Sequence, residues 1–444
     1  MRVRNDIHRW PAVPLETEDQ HWNYRYCTIE GCLAVASVQA VAGFVVVYAL
    51  DLGASNSQVG LLISLPFLVT ALTILAGSRY IVRRHPQRPT MVVSALHRVF
   101  VVLMALAPLL PMSIRVWWVT ATYSLAATAA ALASTWWTAM VSEVFPQQHR
   151  GAVFGTRLVF TGSAGVIATI LTGRGLDLLP YPLNYMLMFS AAAIVGFIAS
   201  SFIAKLRLPA SPMVEQGGEK VPATQLRLRQ VLQSDVKAAF WGLALPVFLF
   251  NIGYHMATPI INIYFVEYLH YSKSAIGLLT ATFLICQVIS SRYWGRLSDR
   301  IGNHIVALIS MTILTVQMSA YLLIPRMPFL VVMQGMGGLA FGGYAISTFN
   351  GLINLGSPAQ RSVLVSLFNV VSQMGAFLAP SSGTFILDRW GLVAAFVSVT
   401  LLRSLGALSI YKPARREQER NMSIEALHAR QRLTSYRLSV RKRL

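Results

Sequence analysis

The chain has few charged side chains, and most of them carry one sign. Only 12% of its 444 residues are charged, against roughly a quarter in soluble domains. Its 37 Lys and Arg outnumber 17 acidic residues, and there are three cysteines. So little charge argues against an ordinary soluble domain. Three cysteines in or beside apolar segments argue against a disulfide framework.

The sequence also lacks the motifs of an enzyme. It contains no phosphate-binding Gly-Lys motif, and no group of His, Cys and carboxylate residues with metal-ligand spacing. The first 26 residues include no apolar core of a cleaved signal peptide. We therefore predict a protein that is not an enzyme, has no cofactor or metal, and is targeted by its first apolar segment.

What the chain has in abundance is long apolar sequence. Hydrophobic residues make up 55% of it, and its mean hydropathy is +0.55. Twelve apolar runs are each long enough to cross a bilayer as a helix, which takes about 20 residues. We call them spans 1 to 12. They cover residues 29–50, 57–78, 89–110, 115–141, 151–173, 184–206, 239–266, 274–294, 304–324, 328–353, 361–385 and 391–411.

One long polar interruption divides the spans into two groups of six. It contains several prolines and a Gly-Gly pair, a composition typical of a linker. The predicted organisation is an N-terminal segment 1–28, a first six-helix half 29–207, a linker 208–238, a second six-helix half 239–411 and a basic tail 412–444.

The two halves repeat each other. Span 2 opens with Ser57–Leu62, reading SQVGLL, and span 8 opens with Ser274–Leu279, reading SAIGLL. Arg150 and Asp177 flank span 5 at the same separation as Arg361 and Asp388 flank span 11. This pattern predicts two pseudo-symmetric six-helix halves.

The net charge of +20 is distributed as expected for a membrane protein. Only five Lys or Arg fall in the loops predicted to be outside: Arg115, Arg174, Lys273, Arg326 and Arg389. This positive-inside bias predicts a multi-pass protein of the plasma (inner) membrane with both termini and the linker in the cytoplasm. The basic tail then faces solvent or membrane lipids, and nucleic acid is not an expected partner.

A loop motif connects this architecture to a family. Residues 295–302 read GRLSDRIG between spans 8 and 9, and resemble the cytoplasmic loop signature of the major facilitator superfamily. The first-half copy begins at Gly77 but has Ile81 in place of the acidic residue. The resemblance implies an all-α membrane protein with twelve transmembrane helices in two halves around a central cavity, which works by alternating access.

The resemblance also implies a conformational latch. Asp299 is expected near the cytoplasmic start of span 5, where Arg150 and the helix N-terminus favour a carboxylate. Gly295 is expected to permit close helix approach and Gly302 a sharp turn. The predicted latch set comprises Gly77, Arg150, Gly295, Asp299, Arg300 and Gly302. Local pairing of Asp299 with Arg296 or Arg300 is the alternative.

Candidate substrate contacts come from polar and aromatic side chains inside the spans. Asn251, His255, Thr258 and Asn262 share one face of span 7, which the resemblance makes a cavity-lining helix. The predicted substrate-binding set is Gln39, Trp136, Trp137, Asn251, His255 and Gln334. Hydrogen bonding between helices is the alternative for the polar members, and aromatic packing is the alternative for the tryptophans.

Ionisable side chains within spans are expected at their ends. We expect Glu30 at an interface, and Arg98 and Arg157 with side chains extended to the headgroups.

Three functions remain open at this point. The chain is predicted to be a secondary transporter of a small organic solute; a lipid, lipophile or drug exporter of the same fold, and a non-transporting sensor or assembly protein, are the alternatives. A coupling ion stays open, and a monomer is expected.

Overall fold

The computed structural model describes residues 15, 17–77, 87–145, 147–208, 236–355 and 358–441. Most of the predicted linker 208–238, and Ile81 in the first-half loop, lie outside the described residues. The division of the chain at that linker stays a prediction.

Every regular element among the described residues is a helix. Span 1 comprises Glu18–Ala42 and Val45–Asp51. Spans 2 to 6 are Asn56–Gly77, Gln87–Ala105, Met112–Val144, Gln147–Leu178 and Leu183–Ile203. Spans 7 to 10 are Val236–Ile263, Lys273–Ile301, Asn303–Ala320 and Met327–Ile353, and spans 11 and 12 lie in Pro358–Arg441. Two short helices follow spans 3 and 7, at Ala107–Leu109 and Tyr264–Tyr268.

The number of membrane crossings agrees with the sequence. Eleven described helices are long and apolar enough to cross a membrane. The last one contains two crossings, because Gly391 interrupts it with a φ of +81°, a conformation that favours glycine. The prediction of an all-helical membrane protein is confirmed.

Helix ends differ from the predicted apolar limits. The first helix begins at Glu18, where Thr17 and Gln20 form a reciprocal capping box. The last helix continues past residue 411 to Arg441. Hydropathy predicts the part of a helix that crosses the membrane and not its full length. The polar extensions contain Arg, Glu, Gln and Ala, which are strong helix formers.

The two halves pack in the same way. Span 1 contacts spans 5 and 6, and span 7 contacts the long helix that holds spans 11 and 12. Spans 2 and 4, 3 and 4, and 3 and 6 are neighbours, as are spans 8 and 10, 9 and 10, and 9 and 12. Contacts between the halves run chiefly through spans 2 and 11 and spans 5 and 8.

The hydrophobic core differs between the two ends of the bundle. We call the end where span 1 begins and span 12 leaves the tail end, and the opposite end the far end. At the far end one core joins both halves, with Phe44 and Leu62 from the first and Ile260 and Ile276 from the second. Toward the tail end each half has its own core. The halves therefore meet at the far end and are separately packed near the tails.

Candidate functional site

A cavity of about 450 Å³ lies in the first half and is called the N-half cavity. Spans 1, 3, 4, 5 and 6 contribute its walls. Its polar and aromatic lining includes Glu30, Gln39, His97, Arg98, Trp137 and Arg157. Two predicted substrate contacts, Gln39 and Trp137, therefore lie on one cavity. The volume falls in the range of about 300–1,000 Å³ typical of small-molecule sites.

The charged wall of this cavity is built around Arg157. Its Nη2 lies 3.3 Å from Glu30 Oε2, its Nε donates to the Cys27 carbonyl at 3.1 Å, and its Cζ lies 4.1 Å from the Trp137 ring centroid. The carboxylate and the aromatic face together offset the burial of the guanidinium.

Arg98 is a second buried cation beside this pair. It is 2% exposed, contacts the ring of His97, and its Nε has no hydrogen-bond partner among the described residues. Glu30 is 6% exposed. The expectations of extended arginines and an interfacial Glu30 are wrong, because Arg98 and Glu30 are buried inside the half and Arg157 pairs with Glu30 there. Buried Arg98, partly buried Arg157 and one buried glutamate leave the charge of the cavity wall positive.

A smaller cavity of about 170 Å³ lies in the second half and is called the C-half cavity. Thr258 and Asn262 of span 7 line it, as does the predicted Gln334. Arg403 of span 12 also lines it, and sequence reasoning missed that residue. The signal was available: Arg403 stands near the middle of an apolar run, where a charge is costly.

The remaining substrate candidates lie away from these two cavities. Asn251 accepts a hydrogen bond from the Tyr344 hydroxyl at 2.6 Å, an interhelical contact within the second half. The ring of His255 lies edge-on to Phe67 of span 2, with centroids 5.0 Å apart. Trp136 is partly buried, and its Nε1 has no partner among the described residues. Roles in substrate binding for these three stay predictions.

Three aspartates join the halves at the far end. Asp51, at the end of span 1, pairs with Lys273 Nζ at 3.1 Å, and the other two occupy matching places in the internal repeat. Asp177, at the end of span 5, accepts the backbone N–H groups of Lys273 and Ser274 at the start of span 8. Asp388, at the end of span 11, accepts hydrogen bonds from the Asn56 and Ser57 side chains at the start of span 2. The repeated motifs of the two halves thus contact each other across the interface.

A close helix crossing lies just inside Asp177. A Cβ built on Gly277 would lie 3.2 Å from both the Thr169 carbonyl oxygen and Phe44 Cζ. One built on Gly173 would lie 2.8 Å from the Lys273 carbonyl oxygen and 3.2 Å from Phe44 Cζ. Two glycines therefore allow spans 5 and 8 to approach closely, with the fully buried Phe44 ring against both.

The predicted latch residues lie at the tail end. Asp299 and Arg300 are exposed, and Asp299 has no hydrogen bond or ion pair within the described part of the chain, Arg296 and Arg300 included. The Arg150 side chain and the surroundings of Gly77 lie outside the described residues. No described atom lies within 4 Å of a Cβ built on Gly295, so the expected close approach is not seen there. The latch stays a prediction.

Gly302 does make the expected turn, and its neighbours have an unexpected partner. Its φ of +106° is a conformation that favours glycine. Glu417, beyond the end of span 12, accepts the backbone N–H groups of Asn303 and His304 at 3.1 and 2.7 Å. The tail helix therefore caps the start of span 9 through a carboxylate.

Comparison with known proteins decides the family. The family model described as Major Facilitator Superfamily matches residues 29–268 and 243–443. The chain belongs to the major facilitator superfamily. This is a family of membrane transporters and not of enzymes, in agreement with the loop resemblance, the twelve spans and the repeat.

Solved structures of the same fold cover most of the chain at low identity. A bacterial homologue of the human lysosomal transporter Spinster, in an inward-facing and unoccupied conformation, has a TM-score of 0.75 and 15% identity over 92% of this chain and 99% of that one. The xylose transporter XylE from E. coli, partially occluded and inward open, has a TM-score of 0.68 and 11% identity over 89% and 98%.

The curated relatives match over shorter stretches. Quinolone resistance protein NorA of Staphylococcus aureus (strain MRSA252) is 24% identical over 168 residues, 35% of this chain and 43% of NorA. Multidrug resistance protein MdtG of Klebsiella pneumoniae (strain 342) is 27% identical over 154 residues, 34% of this chain and 37% of MdtG. The match thus spans less than half of either relative.

Proposed function

We propose that this protein is a secondary active transporter that moves a small organic solute across the plasma membrane by alternating access. The single observation that carries the proposal is the difference between the two ends of the bundle. One core and the contacts of three aspartates join the halves at the far end, whereas the halves have separate cores toward the tail end. This arrangement supports a solute path open to the tail end, with the far end closed.

The N-half cavity is the proposed main solute site. Gln39 offers a hydrogen-bonding amide, and Trp137 offers an aromatic face beside Arg157 and Glu30. This combination suits a solute with both a ring system and polar groups. The drug-resistance relatives support the same class and favour export. The charged lining favours such a solute over a purely apolar lipophile, and the cavity favours a transporter over a sensor.

Export can be tested in cells that lack their own drug pumps. We expect the protein to lower accumulation of a fluorescent quinolone and to raise the inhibitory concentration, and Trp137→Leu to reduce both effects. Trp117→Leu is the matched control, because Trp117 is in the same helix and 51% exposed. Unchanged accumulation of quinolones, cationic dyes and lysolipids in cells with and without the protein would contradict the proposal.

The orientation needs a separate test. With the tails in the cytoplasm, a cysteine at exposed Leu323 of the far end should react with a membrane-impermeant maleimide in intact cells. A cysteine at exposed Ala204 of the tail end should react only after permeabilisation. Both probes require replacement of Cys27, Cys32 and Cys286. The opposite labelling pattern would reverse the proposed topology.

A further inference from the structure

Arg403 is a buried cation without a buried counter-ion. It is 3% exposed in the interior of span 12. The sequence between residues 236 and 411 contains only three carboxylates, Glu267, Asp299 and Asp388, and all three are exposed at helix ends. No acidic side chain of the second half is therefore placed to neutralise this guanidinium. Intramembrane charges of this kind are functional candidates by default.

The contacts that Arg403 does make compensate only part of its burial. One Nη atom donates to the Leu314 carbonyl at 2.9 Å, and the guanidinium carbon lies 5.4 Å from the Tyr254 ring centroid and 5.8 Å from that of Phe250. Its Nε has no hydrogen-bond partner among the described residues. A guanidinium has five N–H donors in a planar fork that matches a carboxylate or phosphate. Donors remain for such a group.

The space beside Arg403 is suited to one functional group. At about 170 Å³ the C-half cavity is smaller than the roughly 300–1,000 Å³ of a whole small-molecule site. Its lining adds the amide side chains of Gln317 and Gln334 and the hydroxyl of Thr280. Gln317 Nε2 donates to the Tyr321 hydroxyl at 3.0 Å, which fixes its orientation. The cavity therefore has polar groups among apolar ones, a positive charge at Arg403 and no acidic residue in its described lining.

We propose that the C-half cavity binds an oxyanion group, a carboxylate or a phosphate, carried by the transported solute, with Arg403 as its counter-ion. The positive wall of the N-half cavity, where Arg98 and Arg157 outnumber Glu30, is consistent with an acidic solute. The inference rests on the proposed transport function, since it names the chemical class of the solute. Binding measurements alone test the oxyanion site, so the site and the proposed transport function can fail separately.

The first test is thermal stabilisation of the purified full-length protein by matched probes. Benzoate and phenyl phosphate should raise the Tm in a concentration-dependent way, and neutral benzamide should not. Arg403→Gln should raise the apparent Kd for benzoate about 10- to 150-fold, the range expected for loss of hydrogen bonds to a charged group. Arg296→Gln, at an exposed arginine, is the matched control and should leave the apparent Kd unchanged.

Equal stabilisation by benzoate and benzamide, or an unchanged benzoate Kd in folded Arg403→Gln, would overturn the proposal. An arginine that only anchors span 12 would lower the Tm with and without benzoate by the same amount. If Arg403→Gln does not fold, Gln334→Leu should weaken benzoate binding, and 4-iodobenzoate bound to the wild-type protein should place its carboxylate within about 4 Å of Arg403. Iodine found only elsewhere would overturn the assignment.

A separate experiment distinguishes an oxyanion carried by the solute from one carried by a lipid headgroup. Phosphatidic acid added to the detergent should stabilise the protein no more than phosphatidylcholine, because the group belongs to the solute. Stabilisation by phosphatidic acid alone would assign the site to a lipid headgroup and overturn the solute subsite. Arg403-dependent benzoate binding without transport of any solute would leave the anion site standing and remove the proposed function.

Discussion

Asp177 Oδ2 accepts the backbone N–H of Ser274 at 2.7 Å, so the end of span 5 in one half caps the start of span 8 in the other. Asp388 occupies the matching place in the second half and contacts the start of span 2 at Ser57. Two carboxylates, related by the internal repeat, thus join the halves at the far end, beside the ion pair of Asp51 with Lys273.

Removal of the charge at Asp177 should loosen that closure. Asp177→Asn weakens a charge-assisted cap worth about 1 kcal/mol, which should shift the balance about fivefold toward a far-end-open state. Spin labels at exposed Met112 and Leu323, on opposite halves of the far end, report the change as a longer distance. The double variant with Asp388→Asn should shift further. A wild-type distance distribution in both variants would show that these two carboxylates do not hold the far end closed.

A larger side chain at the crossing of spans 5 and 8 should also shift the balance toward the far-end-open state. In Gly173→Ala the new methyl group meets the Lys273 carbonyl oxygen at 2.8 Å, so the helices must separate. Overpacking of this kind costs about 1–3 kcal/mol and should lengthen the Met112–Leu323 distance. Gly155→Ala is the matched control in the same helix, because no described atom lies within 4 Å of a Cβ built there. Equal shifts in both variants would assign the effect to helix propensity.

The cap between the tail helix and span 9 can be tested by hydrogen exchange. Glu417→Gln keeps the shape but removes the charge that accepts the amides of Asn303 and His304. Exchange of these amides should speed up about fivefold, for a loss of about 1 kcal/mol. Glu419→Gln is the control, because Glu419 is exposed and pairs locally with Arg415. Similar exchange rates in both variants would show that the cap contributes nothing.

The fold was predictable because its determinants are local and periodic. Apolar length and the repeated Ser57 and Ser274 segments can be read directly from the sequence, and they predict the spans and the two halves. The sidedness that the loop charges indicate stays a prediction. The matched Asp177 and Asp388 were visible as well. Their contacts with the opposite half were not, because they depend on which end of the bundle is closed.

The site was predictable only in part, since helix periodicity gives a face but not the neighbour that the face meets. Gln39, Trp137 and Gln334 do line cavities, whereas Asn251 of the predicted stripe is engaged by Tyr344. Arg98 and Arg157 were expected to extend to headgroups, because distance from a helix end cannot reveal a buried partner. Arg403 was overlooked because the sequence of the second half has no acidic residue inside a predicted span that would suggest a buried ion pair.

The latch prediction concerns the tail end and needs a background in which that end closes. Asp299 is exposed here, as expected for the proposed path open to the tail end. Gly173→Ala should populate the tail-closed state and shorten the distance between labels at exposed Ala204 and Asn354, one on each half. In that state Asp299 should reach the start of span 5, where Arg150 and the helix N-terminus attract a carboxylate.

Adding Asp299→Asn to Gly173→Ala should therefore lengthen the Ala204–Asn354 distance again. A partly buried charge contact is worth about 1–3 kcal/mol, so the tail-open fraction should rise about 5- to 150-fold relative to the tail-closed one. Affinity for the solute within either state should change little, because Asp299 lines neither cavity. Arg296→Gln in the same background separates the two explanations. If it reproduces the effect of Asp299→Asn, the carboxylate acts through a local pair and the latch across the halves is wrong.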